Sequence, residues 1–509
     1  MNFTETREAV NITTNYGSGE QIMNYTMITK MTADLETGDN AIFNDTETRE
    51  INFVVNGKNP DKNEILFEGL RCISGVCTLD DIEELELEEG QRLWSNATNW
   101  PNEVLPQEGD EVTIPSNWNM ILDIEETPVL ESLTINGRLT FAPTMDVHLR
   151  SKWIFIRAGE LLIGSEEEPY EKNAEITLHG MTDSETLVIS GTVSAGNKIL
   201  ATVGDVKFYG KSRDKMTRLI APVYRGDTQI YIDMPSEGLD WEIGDEIYLA
   251  PTAMQFDHSD YAVIEAIEGS RITLTEPLNF YHWGDGRSTA DEYNGVDMRG
   301  EVILLTRNIK IKGEDADGWG GQVLATDYFE TDGTWRKGQI IFDHVQMYNC
   351  SQENTYKASI RWEGAIGGTS SVTNSTVHGS MGWLASVYKS NNVVLEDNTM
   401  VGSRAIGVHL DNVRNVKMHG NFIGDVMPRD FGDVGDGVTD PEACVAVCSY
   451  MTDGSPCFDL DIQNNVAAGC KFAGFIVPGY DCDDTESVKF KNNLSHSNKG
   501  VGAAIYPDK

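Results

Sequence analysis

The stretch from Val372 to Asp425 repeats itself, and a repeat of this period leaves few folds open. Ser375-Thr376-Val377-His378-Gly379-Ser380 aligns with Asn398-Thr399-Met400-Val401-Gly402-Ser403, 23 residues on, and Asn421-Phe422-Ile423-Gly424 follows after another 23. Each unit holds an apolar-polar alternation, an Asn, another apolar pair and a Gly, which suits a strand, a tight bend and a second strand. Short strands at a period near 23 predict an all-β chain wound as a right-handed parallel β-helix. The echo continues at Asn465 and Asn493 after gaps of 44 and 28, which leave room for one skipped coil and a loop. Inward Asn at equivalent bends can stack and satisfy backbone groups that a turning strand leaves unpaired, so a structural ladder is expected there.

Composition narrows the partners. Lys plus Arg number 39 against 81 Asp plus Glu, a formal charge of -42, so phosphate backbones and anionic lipid meet repulsion; no nucleic acid partner is expected. No apolar run approaches the roughly 18 to 20 residues that span a bilayer, and no membrane span is expected in this segment. The start, MNFTETREAVNITT, lacks the layout of a signal peptide. Yet eight N-x-[ST] sequons, at Asn2, Asn11, Asn24, Asn44, Asn96, Asn349, Asn374 and Asn493, accompany eight Cys. Together they predict a glycosylated extracellular or cell-surface protein, a piece of a larger ectodomain.

Taken in order, residues 1–90 read as a small β module ending in the acidic connector LDDIEELELEEG, where Cys72 and Cys77 could close a small disulfide loop. From Arg92 short strands are punctuated by Gly and Pro, through Pro106-Gln107-Glu108-Gly109-Asp110-Glu111-Val112-Thr113-Ile114-Pro115, Leu133-Thr134-Ile135-Asn136-Gly137-Arg138-Leu139 and Ile176-Thr177-Leu178-His179-Gly180. These residues resemble the G-eight domain of fibrocystin, fibrocystin-like proteins and the cell-surface hyaluronidase family. Glycines 109, 137, 159, 164, 180, 196, 204 and 210 are the candidates for the eight, placed where strands turn with positive φ or where coils approach closely.

The resemblance extends through Trp241-Glu242-Ile243-Gly244-Asp245-Glu246-Ile247 and through Gly295 to Ile309, which resembles the segment opening the β-helix in that family. It divides the chain into a G-eight domain at 91–215, a connecting β segment at 216–294 and a β-helix with disulfide-pinned loops at 295–509. Asp297, Arg299 and Glu301 alternate onto one strand face and are expected to pair structurally. The Cys-rich final third looks most like fibrocystin and its longer relative. The hyaluronidase branch carries a Tyr-Pro-Ile-His-Phe-His stretch, whose counterpart here, Tyr356-Lys357-Ala358-Ser359-Ile360-Arg361, lacks both histidines. What the fibrocystin branch implies is a receptor-like glycoprotein of cilia or other cell surfaces, without established enzyme activity. Protein or glycan partners at such a surface are then expected.

Candidate chemistry is sparse. Cys448 with Cys457 and Cys470 with Cys482 are expected as disulfides, each pinning a loop that leaves the solenoid. If the chain were a polysaccharide-active enzyme on the same scaffold, His409, Asp411 and Arg404 are the one acid/base grouping the repeat offers. Trp362 and Trp383 could stack on sugar, but packing in a coil is the commoner use. No cofactor is expected. Calcium is a weak candidate at Asp433, Asp436 and Asp440, whose spacing fits neither the EF-hand nor the nonapeptide pattern, and the Cys spacings fit no usual zinc-ligand pattern. A third possibility is self-assembly as a filament subunit, marked by exposed apolar residues on the terminal coil near Val501 to Tyr506.

Overall fold

The computed structural model describes residues 87–189, 193–314, 318–428, 442–448, 457–479 and 488–507, with backbone alone for four strands between residues 2 and 52. The chain divides into two compact units, Met1–Glu86 and Leu87–Lys509. In the first, Asn2–Thr6, Ala9–Tyr16, Gly19–Tyr25 and Arg49–Asn52 form one antiparallel sheet, with Asn2–Thr6 between Ala9–Tyr16 and Arg49–Asn52. Cys72, Cys77 and Asn44 fall outside the described residues, as do the side chains of Asn2, Asn11 and Asn24.

The second unit is wound. From Gln91 the chain lays its strands in turn on three parallel sheets: sheet II, eleven strands from Glu111–Ile114 to Val501–Pro507; sheet III, eleven from Gln91–Leu93 to Val488–Lys491; and sheet I, nine from Val147–Ser151 to Leu494–His496. One coil reads Ala385–Tyr388 on sheet II, Asn391–Glu396 on sheet III and Thr399–Arg404 on sheet I. The next begins at Ile406–Asp411, with Ala385 beside Val408, the same step that repeats in the sequence. Alternation decides which side chains enter the bore: Val387, Val393, Leu395, Met400, Val408 and Leu410 are fully buried in one continuous core. Burial of each such side chain contributes about 1.5–3 kcal/mol.

The first coils belong to the same winding as the last. Val206 pairs with Ile340, Leu200 with Val323 and Ala174 with Ile309, all parallel, so residues 91–215 and the later coils share one stack and one core instead of forming separate domains. The parallel β-helix expected to open near residue 295 therefore starts at residue 91. Near its first coil, Trp94 and Trp100 pack edge to face with centroids 4.7 Å apart, beside two 3-10 turns at Ala97–Asn99 and Pro101–Glu103.

What separates Tyr209 from Ile309 is an inserted antiparallel sheet of six strands, Met216–Arg218, Gln229–Tyr231, Glu246–Leu249, Asp260–Glu268, Arg271–Leu274 and Glu301–Leu304. It has its own core, including Ile230, Ile247, Ile264, Ile272 and Leu304. Its outer side docks on sheet I through Tyr248, Ile303 and Leu305 against Val401, Phe422 and Ala468. The segment from Gly295 thus closes this insert, and the chain re-enters the solenoid only at Ile309–Gly313. Within the insert, Arg299 pairs with Asp297 at 2.7 Å and with Asp233 at 2.8 Å, and Arg218 pairs with Glu301 at 2.7 Å.

Candidate functional site

Outward positions on sheet II carry the chemistry, because a coil step that keeps register also stacks every outward residue on its neighbour. Val408 and Leu410 fill the core, so His409 and Asp411 point out, both on one face as the alternation predicts. Register then sets Arg361, Ser386 and His409 in one column, and Glu363, Tyr388 and Asp411 in the next. Arg361, Glu363, Ser386 and Tyr388 are members that the sequence reading did not single out. The step from Ser386 to His409 keeps the sequence repeat, whereas the step from Arg361 to Ser386 is slightly longer and falls out of phase with it.

The columns are engaged with their surroundings. Arg361, nearly fully buried, donates to Ser194 O and Ala195 O at 2.8 Å each, to Gln322 Oε1 at 3.2 Å and to the Glu363 carboxylate. Its guanidinium is spent on holding the hairpin before Gly196 against the sheet. His409 lies 3.2 Å from Ser386 Oγ through Nδ1, with its ring 4.9 Å from that of Trp383. Burial pushes its pKa down to about 4, which keeps it neutral near pH 7 and a weak proton acceptor there. Arg404 sits on sheet I instead; its Nη1 reaches Pro428 O at 3.2 Å, and its charge acts on Asp425 at the junction with the insert. The three residues of the enzyme hypothesis therefore lie on two faces.

Asp411 is buried within 4.8 Å of the Cys448 and Cys457 sulfurs, an arrangement with the shape of a metal site. Those sulfurs are joined to one another as a disulfide, which removes the thiolates a metal would need. Cys470 is joined not to Cys482 but to Cys444, with Cα atoms 5.6 Å apart. The reason is where the two sulfurs lie. Cys444 on sheet II and Cys470 on sheet I both lie in the core, so the bridge crosses the bore of one coil instead of pinning a loop. Cys482, Asp433, Asp436 and Asp440 fall outside the described residues. Trp362 is wholly buried and Trp383 nearly so, which leaves neither ring open to a sugar.

The Asn residues form a ladder. Asn398 Nδ2 donates to Asn421 Oδ1 at 3.0 Å, Asn421 Nδ2 to Asn465 Oδ1 at 2.9 Å and Asn465 Nδ2 to Asn493 Oδ1 at 3.0 Å. Each carboxamide also bonds the backbone at the corner from sheet III to sheet I, as when Asn421 Nδ2 donates to Leu395 O and Asn421 Oδ1 accepts from Asn398 N. Asn421 and Asn465 are adjacent rungs, since Phe422 pairs with Val466. The long gap between these two Asn holds no skipped coil; its extra residues fall in sequence between the strands Phe422–Met427, Ala443–Val447 and Phe458–Gln463.

The ladder also sorts the sequons. Asn493 spends its amide on Ile462 O, and Asn374 donates to Asp343 at 2.8 Å. Asn96 is exposed, its Oδ1 capping a 3-10 turn at Thr98 N. Asn349 is half-buried beside Cys350, a buried free thiol that burial pushes up to about 12.

Residues 99–220 match the family model of the G8 domain, and residues 363–509 match that of the right handed beta helix region. The chain is 25% identical to fibrocystin of Mus musculus over 425 residues, covering 80% of this chain and 10% of that protein. It is 24% identical to Fibrocystin-L of Homo sapiens over 423 residues, covering 77% of this chain and 10% of that protein. A G8 domain-containing protein of Dictyostelium discoideum is 24% identical over 454 residues, covering 81% of this chain and 30% of that protein. This chain spans about a tenth of the length of the two mammalian relatives. The resemblance to fibrocystin and its relatives, through a G8 domain followed by β-helix repeats, is shown by these matches. Among the described residues no helix is long and apolar enough to cross a membrane.

Proposed function

We propose that this chain is a segment of an extracellular or cilium-surface glycoprotein with a structural or receptor-like role, and that it does not turn over a substrate. The observation that carries this reading is the outer face of sheet II. There the one Arg of the polar columns is consumed by backbone carbonyls and Glu363, the His is held neutral, and Arg404 is directed to another face. A polysaccharide-cleaving site needs a carboxylate and a proton carrier converging on open space, with a pKa near the working pH. Two disulfides and the similarity to fibrocystin support the surface location.

The test is depolymerisation. Purified chain is incubated with hyaluronan and with neutral polysaccharides, in calcium and then in chelator, and reducing ends are counted. No release above the buffer rate is expected from folded protein. Release that disappears in His409→Ala or Asp411→Asn would overturn the reading.

A further inference from the structure

The second sheet meets the third at a corner where four of the early coils have no side chain. Gly137, Gly159 and Gly204 stack there, and Gly338 continues the line; a Cβ on Gly159 would stand 1.7 Å from Gly137 O, and one on Gly204 2.5 Å from Gly159 O. The corner is therefore sunk to the backbone, and it forms the floor of a groove of about 740 Å³. Five successive rungs line it, from Trp118 and Asn119 to Trp335 and Gln339. At the spacing of neighbouring strands it runs about 19 Å along the solenoid axis.

Its walls suit one kind of ligand. Trp118 stands at one end and Trp335 at the other, the latter 39% exposed. Trp335 is fixed by Asp327, its Nε1 donating to Oδ2 at 3.1 Å; its cross-strand partner Phe329 stacks on it with ring planes within 6° and centroids 5.6 Å apart, and Lys337 Nζ stands 4.6 Å from its ring centroid. Between the two Trp residues the charges are mixed, Arg138, Arg336 and Lys337 against Glu160 and Asp205, with Arg138 paired to Glu160 at 2.7 Å. Asn119 Oδ1 is shielded from solvent and accepts no hydrogen bond.

We infer that this groove binds an extended, uncharged oligosaccharide lying along the solenoid axis. Sugar rings present apolar C–H faces to aromatic rings and alternate hydroxyl donors and acceptors to paired guanidinium and carboxylate groups. A polyanion is disfavoured by the chain's net formal charge of -42. The inference stands whether or not the chain has catalytic activity, because the groove lies apart from His409 and Asp411.

The probes are hexasaccharides of β-1,4-linked glucose, N-acetylglucosamine and mannose, with a hyaluronan hexasaccharide as the anionic counterpart, titrated into the full chain by calorimetry and tryptophan fluorescence. At least one neutral probe binds more tightly than the hyaluronan probe. Trp335→Ala weakens that binding about tenfold or more, a loss of about 1.4 kcal/mol, and Arg138→Ala weakens it less. His409→Ala leaves it unchanged, and melting curves show that all variants are folded. Absence of binding by every neutral probe, tighter binding of the hyaluronan probe, or equal binding by Trp335→Ala, Arg138→Ala and the parent chain would each overturn the inference.

Discussion

The early and late coils of one solenoid turn their corners by opposite means. Between sheets II and III the early coils remove side chains, so that Gly137, Gly159 and Gly204 let backbones touch. Between sheets III and I the late coils add one, an Asn on each of four rungs whose carboxamide supplies the hydrogen bonds the bend has lost. Ser375 is the transition: its N–H donates to Asn398 Oδ1, while its own hydroxyl accepts from Val345 N at 3.0 Å. A glycine corner tolerates no addition, whereas an asparagine corner tolerates no loss. The first therefore fails through steric overlap and the second through unsatisfied polar groups.

The largest effect should come from the glycine side. Gly159→Ala places a methyl group against Gly137 O, backbone that cannot give, and a loss above about 4 kcal/mol is expected. Failure to recover folded protein, or a collapsed melting temperature, would show it; a variant that melts like the parent breaks the comparison. On the other side, Asn421→Ala removes two donated and two accepted bonds in a buried corner, a loss of about 3 kcal/mol. Asn493→Ala, on the half-buried last rung, should cost about 1 kcal/mol. Denaturant titration of both variants separates a ladder from a row of unrelated bonds, because equal losses would contradict it.

A smaller effect sharpens the comparison through pH. His378 lies on the late coils, its Nε2 2.9 Å from Gln346 Nε2, which donates to it, and its ring is stacked on Tyr348. Glu246 Oε2 stands 3.9 Å away and Lys310 acts on it from two rungs back on the same sheet. Burial pushes its pKa down to about 4, from an ordinary 6.5. A depressed value means the stabilisation is complete above 6.5 and is lost as pH falls toward 4, up to about 3 kcal/mol. His378→Gln should flatten that fall in stability between pH 6.5 and 4, read from melts at each pH; an unchanged slope assigns the acid sensitivity elsewhere.

The late coils are legible in the sequence because the steps from Ser375 to Asn398 and from Asn398 to Asn421 are equal, and the carboxamide needs of a bend explain the residue chosen. The early coils are legible as glycine-rich strands but not as part of the same winding. The steps from Leu139 to Leu161, from Leu161 to Val206 and from Val206 to Ile340 lengthen each time, so no period survives to be read. Glycines 109, 164, 180 and 196 do adopt positive φ, while 137, 159, 204 and 210 serve close approach, the two uses expected of them. The pairing of Cys470 escapes a reading based on loop length, because nothing local shows that Cys444 and Cys470 face each other across the bore. Alternation places His409 and Asp411 on the correct face, yet the burial that neutralises the imidazole comes from Trp383 and other neighbours invisible to periodicity.

The insert between Val206 and Ile340 has a kinetic meaning. A solenoid can grow rung by rung as it leaves the ribosome, each new strand closing on the last, but here the growing edge at Val206 waits for Ile340, on the far side of the insert. At about 5–20 residues per second that edge stands open for about 7–27 s. The insert, with its own antiparallel core, has time to form in the interval and then docks on coils made after it. The upper coils must accordingly survive this pause unaided or shielded by a chaperone, which makes the first five rungs the vulnerable stage of the protein's synthesis.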